Sequence, residues 1–181
     1  MDEKRARFEA QVLPHLDAAY RFARWLSRVP SDADDVLQEA VLRAFRGFDG
    51  LRGSDVKSWL LTIVRNCHST ALKQQHRRAS VPLPEENDVR DGYAMTATTP
   101  DPQDVSIQHD EQRMLERLIA ELPEDHRTVL MLREIEEMNY RQIALVMDVP
   151  IGTVMSRLAR SRAALKARWQ QQVMGESHDV R

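Results

Sequence analysis

Residues 139–168, NYRQIALVMDVPIGTVMSRLARSRAALKAR, constrain the fold more than any other stretch of the chain. They read as a short helix, a tight turn and a longer helix. Ile143, Ala144 and Met147 lie three and four apart and so share one face of the first helix. Asp148-Val149-Pro150 ends it, because the residue before a proline is pushed out of the helical region. Gly152 and Thr153 then offer a flexible entry and an N-cap for the second helix. Val154, Leu158 and Leu165 give that helix a narrow apolar stripe. Its charges, Arg157, Arg160, Arg162, Lys166 and Arg168, include no acid. A helix that is apolar on one side and purely basic on the other suits the major groove of DNA. The plainer alternative is a solvated surface helix, but such helices usually mix charge signs.

The rest of the 181-residue chain carries 30% charged residues yet a net charge of only −2, so nucleic-acid binding must come from local segregation of charge. Cys67 is the single cysteine, which excludes an internal disulfide and fits a reducing, cytoplasmic setting. No apolar run reaches transmembrane length, and MDEKRARFEA lacks a signal-peptide core, so no direct membrane insertion is expected. Six scattered glycines and few β-branched runs leave little room for a sheet; the expected class is all-α.

Along the chain, residues 8–28 form a first helical segment with Phe8 and Val12 leading in and Tyr20, Ala23, Leu16 and Leu26 inward. Pro14 should start or kink it. Residues 32–45 form a second helix, capped by Asp32 or Ser31, with Val36 or Leu37, Ala40, Val41, Ala44 and Phe45 inward. Asp35, Gln38 and Glu39 remain outside. Capping accounts for Asp32 and Asp34, but not for Gln38 and Glu39 beyond the first turn. A loop at 48–58 follows, and Ser54 or Asp55 can begin the next helix, 59–73, with Leu60, Ile63, Val64, Cys67 and Ala71 inward. From Arg65 to Arg78 there are four Lys or Arg and no acid. Trp59 is placed more readily in packing than in stacking on a base.

Residues 79–103 lose helical periodicity. They carry Pro82, Pro84, Pro100 and Pro102 with five acids, and read as a flexible acidic linker between two small domains. Residues 104–122 resume a helix, with Ile107, Met114 or Leu115, Leu118, Ile119 and Leu122 as its stripe. Pro123 opens the next helix, which carries Val129, Leu130, Leu132 and Ile135 and runs into the two-helix unit. After Arg168 the pattern fades, and residues 171–181 are expected to fray.

An acidic Asp-x-x-Gln-Glu helix, a loop, a basic helix, a linker and a terminal helix-turn-helix therefore stand in one order. In this order the chain resembles the sigma-70 superfamily of transcription initiation factors, in its small extracytoplasmic-function (ECF, group 4) class. The residues that carry the resemblance are AYRFARWLSRVPSDADDVLQEAVLRAF, FRGFDGLRGSDVKSWLLTIVRN and LPEDHRTVLMLREIEEMNYRQIALVMDVPIGTVMSRLARSRAALK. It covers nearly everything but the linker and both tips.

The resemblance implies a sigma-2 domain (1–78), the linker (79–103) and a sigma-4 domain (104–170). It implies binding to core RNA polymerase, promoter-specific initiation in the cytoplasm, and regulation by an anti-sigma factor. Asp35, Gln38 and Glu39 match the helix that docks on the clamp helices of the largest polymerase subunit. The −10 element would be read and melted by Arg52, Ser54, Asp55, Lys57, Trp59, Arg65, Asn66, Lys73, Arg77 and Arg78. Flipping a base there costs about a few kcal/mol of unstacking, offset by binding. The −35 element would meet Thr153, Met155, Ser156, Arg157, Ala159 and Arg160. A basic residue is common in the family where this chain has Met155, and a glycine where it has Asp148.

An enzyme is not expected. No Gly-rich phosphate loop, nucleophile elbow or paired-carboxylate spacing is present. Cys67-His68 is not accompanied by ligand spacing among the other histidines, so neither metal nor cofactor is implied, and Cys67 reads as helix packing. A stand-alone helix-turn-helix regulator would not need Asp35, Gln38 and Glu39 beside a basic helix. A sigma-like adaptor that binds only an anti-sigma factor would not need Arg157 and Arg160.

Overall fold

The computed structural model describes the backbone of residues 2–27, 29–51, 53, 55–79 and 104–176, and the side chains of 3–27, 29–51, 53, 55–77 and 111–174. Among the described residues the chain is helix and turn, with no strand. The expected linker, apart from its first residue, lies outside the described residues, as do Arg52, Ser54 and the side chain of Arg78.

Helix α1 (Asp2–Val12) ends in a 3-10 turn at Leu13–His15, where Pro14 interrupts the hydrogen-bond ladder, and α2 (Leu16–Leu26) follows. Phe8 sits edge-on to Phe45 and Phe48, with centroids 5.2 and 5.4 Å away, which fixes α1 to α3. Tyr20 does not face inward. The buried stripe of α2 is Ala18, Ala19, Phe22 and Ala23, spaced three and four apart, and Tyr20 lies off that stripe, 42% exposed.

Helix α3 (Pro30–Gly47) takes Pro30 in its first turn, where no N–H is needed. It buries Ala33, Val36, Ala40 and Ala44, and three alanines on one stripe let α2 and α4 approach closely. Helix α4 (Val56–Ala79) is capped by Asp55, whose carboxylate accepts from the Ser58 backbone N–H at 3.0 Å and from the Ser58 hydroxyl at 2.7 Å. Leu60, Leu61, Val64 and Cys67 form its buried stripe.

Helices α5 (Asp104–Ala120) and α6 (Glu124–Leu130) lead into a π-helical turn at Met131–Ile135, closed by the Glu136 N–H donating to the Met131 carbonyl at 3.1 Å. The extra residue in this turn shifts the register. Ile135, expected inside, is 42% exposed, and Glu136 is buried instead. Glu137 then adopts a left-handed backbone, φ 54°.

Helix α7 (Tyr140–Met147) opens with a capping box: Asn139 Oδ1 accepts from the Gln142 N–H, and Gln142 Oε1 accepts from the Asn139 N–H. It ends at Asp148 in the left-handed region, φ 52° and ψ 51°, which a short polar side chain tolerates. Helix α8 (Ile151–Glu176) starts two residues earlier than Thr153. The Thr153 N–H donates to the Pro150 carbonyl at 2.9 Å, so Thr153 lies inside the first turn rather than capping it. The helix also continues past Arg168 to Glu176, because Trp169, the glutamines, Val173 and Met174 contain no helix breaker before Gly175.

Two compact units result. One comprises α1–α4 together with Thr128–Ser156, with α7 lying against α4. Val129, Leu132, Met138, Ile143, Val146 and Met147 are buried there. The other comprises residues 104–127 with 157–176, and buries Leu118, Leu122, Leu158 and Ser161.

Candidate nucleic-acid interface

On α8, Met155, Ser156, Ala159 and Arg160 are exposed. Their spacing places Met155 with Ala159, and Ser156 with Arg160, on one outward face. Arg157 turns away from that face. It is 21% exposed in its side chain and pairs with Asp125 at 2.7 Å, while Arg168 approaches Glu121 at 3.4 Å. The purely basic helix of the sequence is thus divided: Arg157 and Arg168 meet acids of α6 and of the turn before it, and Arg160 points outward. Thr153 is half-buried, and its carbonyl accepts from the Ser156 hydroxyl at 3.0 Å. Met155 is 52% exposed.

On α4, Asn66, Lys73 and Arg77 are exposed, and Trp59 and Arg65 are half-buried. Trp59, Asn66 and Lys73 recur every seven residues and Arg77 follows four later, so these four share one stripe. Asp55 and Lys57, at the start of the helix, are engaged with protein. Gln142 Nε2 donates to Asp55 Oδ2 at 2.9 Å. Lys57 Nζ lies 2.8 Å from Glu136 Oε2 and donates to the Glu136 backbone carbonyl at 2.8 Å. Arg21 completes the cluster, its Nε and Nη2 donating to the two carboxylate oxygens at 2.9 and 3.2 Å. The Glu136 side chain has no solvent exposure. Burial pushes its carboxyl up, but the bonds and charges of Arg21 and Lys57 outweigh that and hold it below the ordinary glutamate value. Asp55 is likewise raised by burial and lowered further by Ser58 and Gln142, with a net depression.

On α3, Asp35 and Gln38 are exposed, and Glu39 is half-buried and accepts from Arg43 at 2.6 Å. Leu42 was not singled out by sequence. It is 45% exposed and lies three and four residues after Glu39 and Gln38, so it shares their face. The spacing held that signal; a leucine in a helix is simply assigned to a core by default. Arg21 and Glu136 were also missed, because nothing local pairs residues 115 positions apart.

Cys67 is buried, and burial pushes its thiol up, with Arg43 lowering it and Glu39 raising it again, so it is held in the thiol form. No group of three His, Cys, Asp or Glu side chains stands ready for a metal among the described residues. No single helix among them is long and apolar enough to cross a membrane.

Comparison with known proteins gives these surfaces a common frame. The family description Sigma-70 region 2 matches residues 12–78, and Sigma-70, region 4 matches residues 112–165. The chain is 36% identical over 152 residues to the ECF RNA polymerase sigma-E factor of Escherichia coli (strain K12), covering 81% of this chain and 79% of that one. It is 34% identical over 146 residues to the ECF RNA polymerase sigma-E factor of Haemophilus influenzae, covering 79% and 76%. In fold it is similar to the sigma factor RpoE of Bartonella quintana, solved with the anti-sigma factor NepR, at a TM-score of 0.74 and 23% identity over 91% of this chain and 97% of that one. It is also similar to CnrH, solved with the cytosolic domain of CnrY, at 0.61 and 21% over 92% and 90%. With both sigma-70 regions present in order, and such identity spread over most of its length, the chain belongs to the ECF sigma factors of the sigma-70 family.

Proposed function

We propose that this sigma factor carries out promoter-specific initiation through three surfaces. The outward face of α3 (Asp35, Gln38, Glu39, joined by Leu42) docks on the clamp helices of core RNA polymerase. Acids on a rigid helix fix register against basic partners, and an exposed leucine among them supplies apolar contact. The α4 stripe of Trp59, Asn66, Lys73 and Arg77, with Arg65 beside it and the Asp55–Lys57 end above, handles the −10 strand. Arg52, Ser54 and Arg78 belong to the same reading on sequence grounds. The α8 face of Met155, Ser156, Ala159 and Arg160 reads the −35 element in the major groove, with Thr153 at its entry. Met155 has no donor and suits the C5 methyl of a thymine. Arg157 positions α8 through Asp125.

The observation that carries this reading is the placement of charge: Asp35 and Glu39 lie on the outer side of α3, with Arg43 paired to Glu39, while the charges described on α4 and α8 are all basic. Within this reading residues 1–78 and 104–170 act as the two family domains across the acidic segment 79–103. An anti-sigma factor masks them, and the cytoplasm is the site of action. The chain performs no catalysis and needs no cofactor of its own.

Co-elution with core RNA polymerase tests the first surface. The chain should co-elute, and Asp35→Ala with Glu39→Ala should reduce the retained fraction severalfold while helical content stays unchanged. Retention equal to the parent's would remove α3 from the polymerase interface.

A further inference from the structure

The Glu136 cluster joins three parts of the chain that sequence keeps far apart: α2, the start of α4 and the turn before the helix-turn-helix. Its acid is wholly desolvated, whereas its bases keep access to water, with side-chain exposures of 50% for Arg21 and 27% for Lys57. Arg21 grips the carboxylate in the two-point fork that guanidinium also offers to phosphate. The segment that delivers Glu136 is built with two uncommon backbone features, the π turn at Met131–Ile135 and the left-handed Glu137. A second clasp, Gln142 to Asp55, closes beside it. Every group in the cluster that comes from the start of α4 is one assigned above to the −10 strand.

We propose that Arg21 and Lys57 form a single anion-receiving site with two alternative occupants: the Glu136 carboxylate in the free chain, and a phosphodiester of single-stranded promoter DNA in the working complex. The two exclude one another, because a phosphate brought beside the desolvated carboxylate would place like charges a few ångströms apart in a poorly screened site. Glu136 thereby masks the upper end of the −10 surface, and α7 must leave α4 before that end can hold DNA. Arg21 becomes a DNA contact of the open form. The inference rests on the −10 role proposed for Lys57, but its test does not require polymerase.

The test uses the free full-length chain and a fluorescein-labelled oligothymidylate at low salt, read by anisotropy, with hydrogen exchange followed in Tyr140–Met147. Glu136→Gln should bind the probe about fivefold more tightly, the scale of one charge contact at a partly exposed site. Adding Lys57→Gln should abolish that gain. Exchange in α7 should rise in Glu136→Gln, in Arg21→Gln, and in the parent when the probe is in excess. Faster exchange without tighter binding would show that nothing is masked, and unchanged exchange in both single variants would show that Glu136 holds nothing shut. If Glu136→Gln does not fold, Arg21→Gln alone decides: unchanged α7 exchange overturns the proposal. A chain that co-elutes with polymerase but gives no gain in Glu136→Gln loses the mask and keeps the sigma reading. A chain that shows the gain but no co-elution keeps the anion site and loses the −10 reading.

Discussion

A carboxylate without solvent, gripped by an arginine and a lysine, loses more on protonation than an exposed one. Glu136 is depressed in the folded chain, so its contribution to stability is complete above the ordinary glutamate value of about 4.3 and disappears as pH falls through the lower folded value. Melting temperatures of the parent and Glu136→Gln should therefore differ at neutral pH and converge as pH falls below the ordinary glutamate range and through the lower folded value. Because Arg21 and Lys57 keep partial access to water, the neutral-pH difference should be about 1–2 kcal/mol, below the usual cost of breaking a fully buried pair. Arg157 and Arg160, three residues apart, should part company as well. Arg160→Ala should weaken binding to −35 DNA and reduce the steepness of its salt dependence by about one unit. Arg157→Ala should lower thermal stability by at most about 1 kcal/mol, since its Asp125 partner is half exposed. Equal salt slopes for Arg160→Ala and the parent would take α8's outer face away from DNA.

Each helix end shows how local chemistry sets an element and where it stops being enough. Asn139→Ala removes a capping box at the head of α7 and should cost about 1 kcal/mol, measurable by denaturant unfolding. Most element boundaries follow from signals of this kind: Pro14 between α1 and α2, Asp55 before α4, and Asp148-Val149-Pro150 between α7 and α8 were all readable in the chain. Val36, Ala40 and Ala44 on α3 and Val154 and Leu158 on α8 followed from spacing, whereas the buried Ala33 was not among the residues expected inward. What was not readable came from register and from distance. The π turn slides Ile135 out and Glu136 in, and no propensity marks a single extra residue in a helical turn. Tyr20 is displaced from the core of α2 because Phe22 and three alanines already fill the stripe that faces its neighbours. Helix α8 outlasts its apolar pattern because glutamine, tryptophan and methionine sustain a helix without a core to face.

In the molecule as a whole, charge differs from helix to helix. Asp35 and Glu39 lie on the outer side of α3 with Arg43 paired to Glu39, the charges described on α4 and α8 are basic, and Lys57 at the start of α4 is held by Glu136. Sequence alone gave the order of these surfaces. It could not give the meeting of Arg21, Lys57 and Glu136, which depends on α7 lying against α4. We propose that this chain acts only as a part of polymerase, turning local charge placement into promoter choice. It is tested most directly by transcription from fragments of the source genome with purified core RNA polymerase, with and without the chain. Discrete new transcripts should start only when both are present, from fragments sharing two spaced elements, and should fall off with Arg160→Ala. Transcripts that are unchanged by adding the chain, together with no co-elution with core, would contradict the account.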